Sequence, residues 1–210
     1  MRHNETVREK AQGREAQRLR TRARVLDAAV VEFQRTGSHS ADINAIVEAA
    51  GVSRSTFYFH FPTKEHVLLE LLRIDEARLA AELSGFLDRR RDLPAVLHEI
   101  VTLVLALEER WGATLFRDVV GLFLSPNRPE EEQWAQHPTF VLLAAEIERA
   151  RHRGELYDDV DCYEGAAFFL VGLYALLTSY RDIGPERESL LRKFVTSTVR
   201  SMHPPSSGEG

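Results

Sequence analysis

The chain has one cysteine, Cys162, and three lysines, Lys10, Lys64 and Lys193, in 210 residues. A single thiol closes no internal disulfide and builds no multi-cysteine zinc site, which fits a reducing cytosol. The eight histidines form no His-Glu-x-x-His pair, no glycine-rich phosphate loop occurs, and Cys162 stands in no nucleophile motif. An all-helical enzyme is therefore only a remote alternative, and no catalytic residue, metal or cofactor is expected. The longest apolar run, residues 166–177, falls short of the ~20 residues that span a bilayer, and the first residues lack the apolar core of a signal peptide. A cytoplasmic protein without membrane contact is expected.

What is present is an ordinary globular composition, 44% hydrophobic and 28% charged, with a net charge of -5. The charge is uneven. Residues 1–64 hold 11 basic and 7 acidic side chains, and residues 65–210 hold 16 and 25. A basic amino-terminal third on an acidic body suggests a small part that meets a polyanion and a larger part with another task. The same net charge and the scarcity of lysine argue against coating nucleic acid without regard to sequence.

Apolar residues recur at helical spacing almost throughout, which predicts an all-α fold. Leu26, Ala29, Val30 and Phe33 define a first helix from about Thr21, stopped at Gly37. Asp42 can cap a second, short helix carrying Ile43, Ile46, Val47 and Ala50, and Ser53 can cap a third that ends near Phe61-Pro62. The aromatic run Phe57–Phe61 would also suit a strand, but no other segment of the chain has a period of two to pair with it. Longer helices follow at about 64–88, 94–109, 113–124, 130–153, 159–181 and 185–202, separated by Gly and Pro breakers. The organisation read from this is a flexible basic tail over 1–20, a helix-turn-helix domain over 21–65, a helical ligand-binding and dimerisation domain over 66–203, and a disordered end over 204–210.

Two short helices joined by a glycine turn form a helix-turn-helix candidate. Its residues, from Ile46-Val47-Glu48-Ala49-Ala50-Gly51-Val52-Ser53 through Arg54-Ser55-Thr56-Phe57-Tyr58-Phe59-His60-Phe61-Pro62-Thr63-Lys64-Glu65, resemble the signature of the TetR (tetracycline-repressor-like) family of transcriptional regulators. The close resemblance covers about residues 21–72; beyond it only length and helical character are similar. A recognition helix brings its first turn to the base edges of the major groove. Arg54, Ser55 and Thr56 occupy that turn: Arg54 can donate to guanine O6 and N7, and Thr56 can offer a hydroxyl and a methyl. Tyr58, His60 and Lys64 are candidates for phosphate, with Asn44 of the preceding helix for phosphate or a base. The resemblance implies DNA contacts at these matching positions. Phe59 departs from the many relatives with Tyr or His there, and it cannot donate to phosphate. Phe57 and Phe61, four apart, should face Leu26, Val30 and Phe33. Arg14, Arg18, Arg20, Arg22 and Arg24 form either a minor-groove arm or a solvated tail.

In the larger domain, the segment 166–177 is apolar around its circumference, with Gly165, Gly172 and Ser179 along one line and Leu191, Phe194, Val195, Thr198 and Met202 on the next stripe. Two such helices at the carboxyl end match the four-helix dimer interface that the resemblance implies, so a homodimer and a palindromic operator in double-stranded DNA are expected. Trp111, Phe116, Phe123, Trp134, Phe140 and Phe168, with His137 as a polar group, are the candidates for lining a pocket that takes an apolar or aromatic effector. The resemblance implies a repressor released by that ligand through the helix that begins at Thr63. Control by a protein partner without a small molecule is the alternative that the sequence leaves open.

Overall fold

The computed structural model describes residues 2–125, 137–179 and 184–203, with side chains from residue 12 onward. Among them are eight helices and no strand: α1 (Arg2–Thr36), α2 (Ile43–Ala50), α3 (Arg54–His60), α4 (Lys64–Leu87), α5 (Leu93–Phe123), α6 (Pro138–His152), α7 (Cys162–Ser179) and α8 (Pro185–Met202). The all-α expectation is met. Trp134 and the predicted carboxy-terminal tail lie outside the described residues.

The tail expected over 1–20 is instead the first half of α1. Polarity alone does not exclude a helix there, because Arg, Gln, Glu, Ala and Leu are good helix formers that need no buried face when they continue an anchored helix. Pairs three apart support it: Arg18 donates to Glu15 at 2.8 and 3.0 Å, and Arg20 to Gln17 at 2.9 Å.

The chain divides into two compact units, one of Met1–Leu71 with Trp111–Phe123, the other of Leu72–Arg110 with Leu124–Gly210. Two helices run from one unit into the other along the chain. α4 changes units at Leu71, and α5 does so beside Gly112, whose φ of 76° and ψ of 152° interrupt the helix. A left-handed φ favours glycine, so the predicted breaker is placed where the chain needs it.

In the first unit, Val25, Leu26, Ala29 and Phe33 of α1 are buried with Ile46 and Val47 of α2, and with Phe57 and Phe61, both of zero exposure. Val25 belongs to this core and Val30 is only half-buried, so the α1 stripe lies slightly to the other side of the one predicted. The turn after α1 is tied to the second segment of α5. Asp118 accepts from the Ser38 amide at 2.6 Å, and Gly37, with φ of 79°, lies against Asp118 and Thr114.

In the second unit, α7 packs on α6 and α8. Its glycines serve that packing: a Cβ at Gly172 would stand 2.8 Å from the Phe194 ring, and one at Gly165 3.1 Å from Met202. α7 is also the helix among the described residues long and apolar enough to cross a membrane by length and composition, with a mean hydropathy of 1.4. A helix apolar around its circumference is expected to be buried on all sides, yet Phe168 and Val171 are exposed at 73% and 38%. A buried ion pair crosses the core, Arg187 Nη2 to Glu108 Oε2 at 2.5 Å.

Removing one member of that pair strands the other charge in the core. Arg187→Ala is expected to cost about 3–5 kcal/mol in urea denaturation, whereas Arg187→Met with Glu108→Leu should recover most of the loss, because the desolvation penalty disappears with both charges.

Candidate nucleic-acid interface

The interface is built on α3, whose ends are fixed locally. Ser53 is its N-cap in extended conformation and accepts from the Thr56 amide at 3.1 Å; its Oγ also lies 2.8 Å from Ser55 Oγ and Thr56 Oγ1. The preceding turn has Gly51 at φ 62°, with the Val52 amide closing on the Val47 carbonyl at 3.0 Å. Asp42 caps α2 by accepting from the Asn44 amide at 2.8 Å. These are the caps and the glycine turn predicted from sequence.

The outward face of α3 carries Arg54, Ser55, Tyr58 and Phe59, all exposed, with Thr56 half-buried. Arg54 Nη1 donates to Asn44 Oδ1 at 3.1 Å. That bond orients the guanidinium before any ligand arrives and leaves most of its donors free, which reduces the side-chain entropy lost on binding. Tyr58 is 44% exposed and packs edge-on against Phe57.

Two predicted phosphate donors are placed differently from expectation. The His60 side chain is buried, and its Nδ1 has no hydrogen-bond partner among the described residues. Burial, and then the charges of Arg22 and Arg18, hold its pKa below the usual imidazole value. As the last residue of a seven-residue helix, His60 turns inward with Phe57 and Phe61, so the helical period decides against the surface role. Lys64 faces the turn before α2, where its Nζ donates to the carbonyls of His39 at 2.7 Å and Ala41 at 3.3 Å. It clamps backbone at the site.

The residue that sequence reading missed is Arg22. Its sequence context marks it only as one charge of an arm. Its guanidinium donates to the His60 carbonyl, lies 4.2 Å from the centroid of the Phe61 ring, and pairs with Glu70 of α4 at 3.2 Å. One side chain thus satisfies the C-terminal end of α3 and ties it to α1 and α4. Only its spacing from the α1 core stripe hinted at this.

The candidates for an effector pocket fall in both units. Trp111, Phe116 and Phe123 are buried in the first, with Trp111 and Phe116 rings 6.2 Å apart. His137 and Phe140 are buried in the second, where His137 Nδ1 and Glu76 Oε2 share a hydrogen bond. Phe168 stands exposed on α7, outside any interior lining. Tyr174, buried near Glu76, has its hydroxyl pKa raised by burial and by that carboxylate. Glu76, the buried partner, was not anticipated, because an acidic residue on a charged helix gives no sign of facing inward.

A short, capped helix with exposed, pre-oriented donors, carried on a three-helix core behind a glycine turn, defines a helix-turn-helix DNA-binding protein. Residues 25–71 match the model of the tetR family of bacterial regulatory proteins. The chain is 28% identical over 165 residues to the helix-turn-helix transcriptional regulator YdgC of Bacillus subtilis, covering 76% of this chain and 80% of that one. It is 27% identical over 188 residues to the transcriptional repressor Rv1474c of Mycobacterium tuberculosis, covering 85% and 92%. The fold is shared with the repressor FadR of Thermus thermophilus, solved with lauroyl-CoA, at a TM-score of 0.69 and 22% identity over 90% of this chain and 99% of that one. Residues 25–71 thus carry the DNA-binding domain of the tetR family, and the relatives that the chain matches over most of its length are helix-turn-helix transcriptional regulators.

Because the folded state favours neutral His60, its contribution to stability is complete above the free imidazole pKa of ~6.5 and is lost as pH falls through that value toward the depressed one. Hydrogen exchange of the α3 amides should accordingly be faster at about pH 5.5 than at about pH 7.5 beyond the intrinsic rate change, and His60→Phe should remove the difference. Arg22→Ala should cost about 1–3 kcal/mol in urea denaturation, with Arg22→Lys recovering little because an ammonium lacks the planar fork.

Proposed function

We propose that this protein is a homodimeric repressor that reads a palindromic operator with two copies of α3 and leaves it when a small apolar or aromatic molecule binds the carboxy-terminal unit. The observation that carries the reading is the exposed first turn of α3, with Arg54 already held by Asn44. Arg54 is the base-reading residue, donating to guanine, and Ser55 and Thr56 supply shorter contacts beside it. Tyr58 donates to phosphate and sets position. His60 and Lys64 act one step back, by keeping α3 and the turn before α2 in place. Phe59, exposed at 73%, offers apolar surface to a thymine methyl where a hydroxyl would have met phosphate.

Dimerisation is supported by the apolar stripe of Phe168, Val171 and Ala175, which is exposed along α7 in the single chain. One copy of α3 reads only a few base pairs, and a two-fold axis gives the second half-site. The effector reading is supported by the buried His137, Glu76 and Tyr174 group, a few polar groups that would orient a mainly apolar ligand. The Thermus thermophilus protein of the same fold was solved with an acyl-CoA. Such a molecule acts only by binding the operator-competent and incompetent states unequally.

The test is fluorescence anisotropy of the full chain with DNA flanking its own gene and with scrambled duplex, at two salt concentrations. Flanking DNA is expected to bind at least about 10³-fold more tightly, and Arg54→Ala to lower that discrimination by about 1–3 kcal/mol. Light scattering should give twice the chain mass, and Phe168→Glu should halve it. Equal affinity for both duplexes, together with no preferred sequence recovered from a random pool, would remove the reading.

A further inference from the structure

In the second unit the end of α4, the connector after it and α6 line a solvent-open concavity of about 390 Å³, within the size range of small-molecule sites. It is unlike an apolar effector pocket. Four guanidinium groups line it, those of Arg90, Arg91, Arg149 and Arg153, against the carboxylates of Asp88 and Glu146. Four cations around one concavity repel one another unless counter-charges hold them there.

The chain supplies such partners to two of the four. Arg149 pairs with Glu146, and Arg153 donates to both oxygens of Glu155 at 2.5 and 2.8 Å. Arg90 and Arg91 have no hydrogen bond or ion pair with the described residues, although Arg90 lies within the field of Glu155. Arg91 is nonetheless held in place: its guanidinium lies over the Phe86 ring, 4.6 Å from the centroid, and its Nε is buried without a partner. A buried Nε donor left unmatched is costly even on a half-exposed side chain, and an oxyanion is its natural partner.

We propose that this cavity binds a phosphate monoester, with the phosphate between Arg90 and Arg91 and the hydroxyls of the esterified alcohol toward Ser84 and Asp88. Two planar forks without protein partners suit a doubly charged group with three terminal oxygens better than a single carboxylate. The volume exceeds that of the phosphate alone, and Ser84 and Asp88 offer an alcohol a hydroxyl donor and a carboxylate acceptor. The site lies apart from the His137, Glu76 and Tyr174 group in its lining and chemistry, so it stands whether or not the apolar-effector reading holds.

Isothermal titration of the full chain with glucose 6-phosphate tests it, with glucose and sodium sulfate as comparators at equal ionic strength. Saturable binding is expected for the ester, none for glucose, and weaker binding for sulfate. Arg90→Ala with Arg91→Ala should weaken the ester at least about tenfold, since each guanidinium supplies charge-assisted bonds. Arg90→Lys with Arg91→Lys, which keeps the charge, should weaken it less, and Arg200→Ala on α8 should leave it unchanged. Absence of saturable binding, equal affinity for sulfate, or unaltered binding by both double variants would overturn the proposal. Operator affinity of these variants without ester, measured by the anisotropy assay, reports separately on the DNA reading.

Discussion

A helix of seven residues cannot hold its own shape in water, because nucleating it fixes more dihedral angles than its few hydrogen bonds repay. α3 is such a helix, and the DNA-binding half of the protein depends on how its surroundings hold it. Phe57 and Phe61 are fully buried against α1 and α2, Ser53 satisfies the first amides, and Arg22 occupies the last carbonyl while lying on Phe61. Beyond the Arg54–Asn44 bond and the Tyr58 ring against Phe57, the outward residues carry little structural task. Arg54 and Tyr58 can be spent on a ligand because nothing in the core requires them.

The braces around α3 converge on helices that also serve the rest of the chain. Glu70, the ion partner of Arg22, belongs to α4, and Asp118, the acceptor for the Ser38 amide, belongs to the second segment of α5. Both helices continue along the chain into the second unit. Gly112 interrupts α5 with a left-handed φ, and only a residue tolerant of positive φ can do this without strain.

The second unit uses its charges differently. Arg187 with Glu108 and His137 with Glu76 are buried as pairs, which fixes the helices that carry them at a cost in desolvation. The small residues of α7 admit Phe194 and Met202 closely, so that helix packs on α8 with one face and leaves Phe168 and Val171 outward. That division of one apolar helix into a packed face and an open one is what a self-associating surface requires.

The helical class, the caps at Asp42 and Ser53, the turns at Gly37, Gly51 and Gly112, and the helix-turn-helix motif with Arg54 at the head of α3 are legible in the chain alone. These are local: each depends on a residue's own φ/ψ range, on a side chain bonding backbone a few positions away, or on a period of 3.6. Tertiary structure decided that residues 2–20 continue α1, that His60 turns inward and Lys64 toward the turn before α2, and that Phe168 is exposed. It also decided that Arg22, Glu76 and Asp118 matter, and that Arg90 and Arg91 share one cavity with Arg149 and Arg153. Their partners lie 20 to 80 positions away in the chain for the most part, and a charged residue carries no periodic mark of the distant group it will meet. Burial of the surrounding helices brings those groups together, and only then do desolvation and pairing set what each one does.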